Sequence, residues 1–232
     1  MKKTACIYTS NTGVGLVTDV SLLQDLLYDT YDIDVVYFDH SLKRLSNGVA
    51  HKNYDLGIWL QTFSEEYFEY ANKNIFIPNE EWLDYKKLFL LKSFDKIICK
   101  STFSRQLLTP YNNNVVVSGF ISKDLYNESI TRKNTFFHLG GKSWQKGTEA
   151  VLNCFQKNNK PLTFIHSNKV YDDTPVTDNI MFFKDFIDEQ YLNKMFNENS
   201  IHLCPSIYEG WGHYLYEALS VGALTYVTKL PM

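Results

Sequence analysis

Short runs rich in β-branched and aromatic residues alternate along this chain with stretches whose apolar residues recur at helical spacing. A chain of that pattern folds as a parallel sheet wrapped by helices, because each strand is buried on both faces and each parallel return needs a long crossover. The runs TACIYTS, IDVVYFD, DLGIWLQ, NIFIPN, KIICKS and NNVVVSG predict strands. Between the first two, LVTDVSLLQDLLYDTY sets Leu16, Val20, Leu23 and Leu27 on one helical stripe. A second series follows: TFFHLGG, the helix GTEAVLNCFQK, PLTFIHS, NIMFFKDFI, the helix DEQYLNKMFNEN, SIHLCPS, a helix after Gly212, and ALTYVTKLP.

The pattern predicts an α/β protein of two tandem Rossmann-like, doubly wound domains. Residues 1–121 form the first, and residues 135–232 the second. The apolar-poor stretch SKDLYNESITRKN, 122–134, is read as the linker. Ligands of such sheets bind beyond the carboxyl ends of the strands, where strand order reverses, so two facing domains predict an interdomain cleft.

Composition narrows the function classes. With 44% hydrophobic and 16% aromatic residues the chain can bury real cores. Its 23 Lys+Arg against 26 Asp+Glu, a formal charge of -3, argue against nucleic acid as a partner. Cys6, Cys99, Cys154 and Cys204 stand far apart among apolar neighbours and read as buried free thiols of a reducing compartment. The basic start MKKTACIYTSNTG loses its apolar run before reaching signal-peptide length, and no segment approaches a membrane span. A soluble cytoplasmic protein is expected.

Three glycine-containing stretches carry candidate chemistry. Gly13 and Gly15 follow the first strand and precede a helix, a context for anion binding at a helix amino terminus; a ligand-free tight turn accounts for them equally well, since Thr18 stands where a dinucleotide fingerprint needs its third glycine. In HLGGKSWQKGTEA, Lys142 and Lys146 lie between Gly140-Gly141 and Gly147, as a diphosphate clamp would require or as a solvated lysine pair would allow. In PSIYEGWGHYLYEALS, Glu209 precedes a helix that starts near Gly212 and Glu217 lies inside it. Leu215, Ala218 and Leu219 are read as the core face of that helix, with Glu217 on the side of His213 and Tyr214. Both glutamates could then face one pocket and accept hydrogen bonds from sugar hydroxyls, or Glu217 could merely complement the helix dipole.

Glu209 and Glu217, seven residues apart after PSIYEG, resemble the E-x7-E motif of retaining, GT-B-fold glycosyltransferases of the family-4 type. The resemblance covers most of the chain. NTGVGLVTDVSLLQDLL is similar to that family's Gly-rich first loop and helix, SFDKIICKSTFSRQLL and VVVSGFISKDLY to its later first-domain segments, and GGKSWQKGTEAVL to its G-R-x4-K-G signature. Lys142 replaces the usual Arg, with one residue fewer before Lys146, and His213 and Tyr214 stand where an aliphatic residue and Pro are commoner. Family members continue past TKLPM with another strand and helices, so the second domain is expected to be incomplete at its end: a fragment, a shortened enzyme, or one completed by another chain.

The resemblance implies transfer of a sugar from a nucleoside-diphosphate donor, such as a UDP- or GDP-sugar, to a hydroxyl of a glycan, glycoprotein or lipid-linked acceptor, with no metal or other cofactor. It assigns catalytic roles to Glu209, Lys146 and Lys142. Donor contacts fall on Gly13, Gly15, Gly141, Gly210, Gly212, His213, Tyr214 and Glu217. Relatives with lipid acceptors bring in weak membrane-surface association, although no strongly basic amphipathic helix supports it. A sugar-nucleotide epimerase of the same fold and a shortened, non-catalytic nucleotide-sugar-binding module are the alternatives.

Other residues offer less. Asp32-Ile33-Asp34 is read as a loop and strand start, not a metal site. Asn79, Glu80, Glu81 and Trp82 stand at a strand end in the first domain, at an acceptor-side position or simply in a helical first turn. His138 and His202 are read as core residues, and His166 as a strand-end residue able to line the cleft.

Overall fold

The computed structural model describes residues 2–10, 13–39, 44–45, 52–166, 171–173, 177–184 and 187–230. The chain divides into two compact units, the first ending at Phe120 and the second beginning at Ile121.

The first unit runs β1 (Lys3–Ser10), α1 (Val14–Leu27), β2 (Tyr31–Asp39), β3 (Arg44–Leu45), β4 (Leu56–Leu60), β5 (Asn74–Ile77), β6 (Lys96–Cys99), α2 (Thr102–Leu108) and β7 (Val115–Val117). Its sheet has the order β3-β2-β1-β4-β5-β6-β7, all parallel except the antiparallel edge pair of β2 with β3. Side chains of β1 alternate between faces, as strand geometry requires. Ala5 and Ile7 pack with Leu16, Val20 and Leu23 of α1, whereas Cys6 and Tyr8 pack with Trp59, Phe76 and Phe94 on the other face. There Tyr8 stacks on Trp59 at 4.1 Å, and Trp59 Nε1 donates to Asn74 Oδ1 at 2.8 Å.

That second face is covered by 3-10 turns at Glu65–Tyr70 and Tyr85–Ser93 rather than by α-helices. The EEYFEY and YKKLFLLKS segments cover the sheet with aromatic and leucine side chains, among them Tyr67, Phe68, Leu88, Leu90 and Leu91, without forming an α-helical turn. Asp32, Ile33 and Asp34 all lie inside β2, and Asp34 is engaged by Lys52 at 3.0 Å and by the Tyr54 hydroxyl at 2.8 Å.

The second unit runs β8 (Lys133–Gly141), α3 (Thr148–Phe155), β9 (Leu162–His166), β10 (Ile180–Lys184), α4 (Glu189–Glu198), β11 (Asn199–Cys204), α5 (His213–Ser220) and β12 (Leu224–Val227). Its five parallel strands have the order β10-β9-β8-β11-β12. Helix α3 covers one face through Val151, Leu152 and Phe155, and α4 and α5 cover the other through Met195, Phe196, Tyr214 and Ala218. The stretch preceding β8 is tied to this unit by side-chain bonds: Ser220 Oγ accepts from Leu125 N, Asn197 Oδ1 accepts from Asn127 N, and Arg132 donates to Gly222 O.

Two expectations about packing are corrected. The buried face of α5 carries Tyr214 and Ala218, with Val221 one turn beyond, while Leu219 is 49% exposed and Leu215 only partly buried. Residues at i, i+4 and i+7 share a helix face, and here that face is the one turned to Phe137 and Cys204 of the sheet. Of the four free cysteines, Cys154 is exposed on α3 and the other three are buried. No helix among the described residues is long and apolar enough to cross a membrane.

Candidate functional site

In the second sheet the chain leaves β8 towards β9 on one side and leaves β11 towards β12 on the other. Between β8 and β11 the strand order therefore reverses, and the loops after these two strands border the crevice that such a reversal creates. Those loops are residues 142–147 and 205–212, which carry the predicted lysines and Glu209.

The two loops are pinned together. Ile207 N donates to Gln145 O at 2.8 Å. Gly147 has φ +70 and lies so close to the other loop that a Cβ there would sit 2.3 Å from Pro205 O, so no side chain fits. Gly147 and Gly212, the latter at φ +79, are the residues preceding α3 and α5, and neither helix start has a side-chain cap. Both helix amino termini thus point backbone N–H groups and positive dipole ends at this edge of the sheet.

At the centre Lys146 Nζ lies 2.5 Å from Glu209 Oε1, with the two side chains 18% and 15% exposed. Ser206 Oγ donates to the same Oε1 at 2.6 Å. Having used its one proton there, Ser206 accepts from the Tyr214 hydroxyl at 2.5 Å. The Tyr214 ring returns to Lys146, whose ammonium sits 3.6 Å from the ring centroid. Tyr214, expected to face the pocket, is instead buried and supports the pair from beneath, and burial pushes its hydroxyl's pKa up.

Beside this cluster Trp211 stacks on Tyr216 at 4.2 Å, and its Nε1 donates to Ser122 Oγ at 3.1 Å. Ser122 Oγ also lies 2.9 Å from His213 Nδ1. Glu217 is half-buried on α5, and desolvation raises its carboxyl above the ordinary glutamate range against the opposing pull of His213, Lys123 and Lys146. Gly210 and Gly212 are buried and Lys142 is exposed. Gly141, at φ +56, ends β8.

Behind the lysine loop, His138 is fully buried, with Nδ1 2.8 Å from Leu203 O and Nε2 2.9 Å from Thr148 Oγ1. The carbonyl can only accept, so Nδ1 carries the proton and Nε2 accepts from Thr148 at the start of α3. Burial lowers the His138 pKa to about 4, and likewise that of His202, whose Nε2 bonds the Phe196 and Asn199 carbonyls. His166, read as a strand-end residue able to line the cleft, is in the core, stacked on Phe164 at 5.1 Å.

Gly13 and Gly15 belong to the first unit. Gly13, extended at φ -168, precedes α1 without a side-chain cap, and Gly15 is in the first turn of that helix. Gln61, the only non-glycine residue with positive φ among those described, directly follows β4 at φ +63, and its Oε1 accepts from Asn79 Nδ2. Asn79 Oδ1 accepts from Lys100, whose ammonium also pairs with Asp19 at 2.5 Å in a site where both side chains are under 4% exposed. Glu80 is buried, and burial raises its pKa. Among the described residues no group of His, Cys, Asp and Glu has metal-binding geometry. Sequence reasoning missed Ser206, Ser122, Gln61 and Lys100, and only the spacing of Ser206 to Glu209 could have pointed to one of them.

No protein-family model and no curated protein matches the sequence. Solved structures do match. A glycosyltransferase involved in avilamycin A biosynthesis gives a TM-score of 0.66 at 11% identity, over 97% of this chain and 79% of its own. The catalytic domain of starch synthase IV from Arabidopsis thaliana, bound to ADP and acarbose, gives 0.65 at 10% identity, over 98% and 83%. The fold is GT-B. A pneumococcal O-GlcNAc transferase in complex with UDP and GlcNAc gives 0.58 at 14% identity over 76% of this chain, which spans 42% of that protein's length. Identities this low establish the fold and leave activity to be argued from the site.

Proposed function

We propose that this chain is a retaining glycosyltransferase of the family-4 type, moving a sugar from a nucleoside-diphosphate donor, such as a UDP- or GDP-sugar, to an acceptor hydroxyl. The observation that carries the proposal is the Lys146–Glu209 pair, lodged where strand order reverses and flanked by two uncapped helix amino termini. Solved GT-B enzymes holding UDP or ADP add support from the fold.

Charge divides the labour. Lys142 and Lys146, with amides around Gly141, Gly147, Gly210 and Gly212, neutralise the negative charge growing on the departing diphosphate. With two ammonium groups available for that work, the reaction needs no metal ion. Glu209 orients the transferred sugar and stabilises the positive charge developing at its anomeric carbon. Glu217 accepts hydrogen bonds from the ribose hydroxyls, with His213 beside it. The acceptor hydroxyl attacks from the face that the diphosphate leaves, its proton passing to the leaving phosphate oxygen, so configuration is retained.

The second unit is the donor side. The first takes the acceptor, a glycan, glycoprotein or lipid-linked sugar at a membrane surface. Four free thiols suit a cytoplasmic setting.

The test is turnover with UDP-, GDP- and ADP-sugars against a panel of glycosides, with the product's anomeric configuration read by proton NMR. Retention is expected, with Glu209→Gln lowering kcat about a hundredfold or more. An inverted product would overturn the stereochemical assignment, and full turnover in the variant would overturn the role of Glu209.

A further inference from the structure

Two aromatic rings flank the central pair without any part in it. Trp144 stands two residues before Lys146 and is 59% exposed. Tyr208 is next to Glu209, and its ring meets Trp144 edge to face, with centroids 5.8 Å apart and planes at 81°. Each ring comes from one of the two pinned loops, so the Ile207–Gln145 bond and the contact of Gly147 with Pro205 also fix where the rings sit.

An indole left more than half in water on a preorganised loop is an apolar surface held ready for contact, and a second ring at its edge restricts its rotation. We infer that Trp144 and Tyr208 form a stacking platform for a pyranose ring. A pyranose presents an apolar C–H face that lies on an aromatic ring, while its hydroxyls need acceptors at the rim. Glu209, adjacent to Tyr208, is such an acceptor. The platform rests on the proposed function, because it takes the Lys146–Glu209 loops as the place where a sugar is held, and it adds the residues that recognise the ring itself.

Pyranose binding can be read without nucleotide. Saturation-transfer NMR of the full chain with methyl glucopyranosides and galactopyranosides at millimolar concentration is expected to show transfer to ring protons, weakened about tenfold or more in Trp144→Ala and in Tyr208→Ala, and partly restored in Trp144→Phe. Displacement of the methyl pyranoside by UDP-, GDP- or ADP-glucose would mark the donor's sugar as the occupant; simultaneous binding would mark an acceptor sugar. No transfer to any pyranoside in the unaltered protein, or equal transfer in the alanine variants, overturns the platform. Titration of UDP, GDP and ADP alone separates this from failure of the donor-site assignment: if Trp144→Ala weakens a nucleoside diphosphate as much as its sugar conjugate, the ring stacks a base and the pyranose assignment is wrong. If no nucleotide binds while pyranosides still require Trp144, the platform stands and the transferase reading falls.

Discussion

Lys146 and Glu209 meet at 2.5 Å across the two loops that close the carboxyl edge of the second sheet, and Ser206 donates to the same carboxylate oxygen. Any diphosphate that recruits Lys146 must compete with Glu209 for the ammonium, so the pair sets both the charge and the geometry of the site.

Removing one partner leaves the other poorly solvated. Lys146→Ala is expected to lower stability by about 1–3 kcal/mol, less than a fully buried pair would lose because both groups keep some contact with water. The double variant Lys146→Ala/Glu209→Gln should recover part of that loss. Urea denaturation of the variants checks this, and strict additivity would show that the pair is not coupled in solution.

Ser206 links Tyr214 to Glu209 and touches no solvent to speak of, at 1% exposed. Ser206→Ala should cost about 1–3 kcal/mol by leaving the Tyr214 hydroxyl without its acceptor, and Tyr214→Phe in the same background should restore much of it. In turnover, Ser206→Ala is expected to lower kcat more than it raises the donor KM, because Glu209 loses its orientation rather than its charge. A change in KM alone would reduce Ser206 to a packing role.

For its proposed role Glu217 must be ionised to accept two ribose hydroxyls, yet desolvation raises its pKa. Nucleotide affinity should therefore fall on acidification at a pH above the ordinary glutamate range, and Glu217→Gln should flatten that dependence while weakening binding throughout. Calorimetric titrations between pH 5 and pH 8 test the sign.

His138 and His202 make folding itself sensitive to acid. Burial lowers each pKa to about 4 from an unfolded value near 6.5. The unfolded chain thus binds protons that the folded chain refuses, so stability is intact above pH 6.5 and drains away as pH falls towards 4. The loss is of order 3 kcal/mol for each histidine. His138→Gln should shrink this acid sensitivity in urea titrations of stability against pH; an unchanged slope would contradict it.

Much of the fold was legible because doubly buried strands leave a plain mark. TACIYTS, KIICKS and SIHLCPS lie in or overlap β1, β6 and β11, and the start of α5 after Gly212 follows from the glycines around Trp211. The 3-10 crossovers at 65–70 and 85–93 were not legible, since EEYFEY and YKKLFLLKS have no period that distinguishes them from helix or loop. At the site, the charged residues announced themselves through spacing, but their supports did not. Tyr214 reads as a pocket-side first-turn residue until the sheet beneath α5 claims its ring, and Ser206 is a hydroxyl like many others until the loop folds it against Glu209. Cys154 misled because its neighbours Val151, Leu152 and Phe155 are buried while it falls outside their buried face of α3 and is exposed.

The most direct test of the donor-site account is calorimetric titration of the full chain with UDP, GDP and ADP, with and without magnesium, beside Lys146→Ala and Glu217→Ala. The account predicts selective binding of one nucleoside diphosphate, unaffected by magnesium, weakened about tenfold or more in each variant. Absence of binding to all three, or binding by both variants as tight as by the unaltered chain, would contradict it.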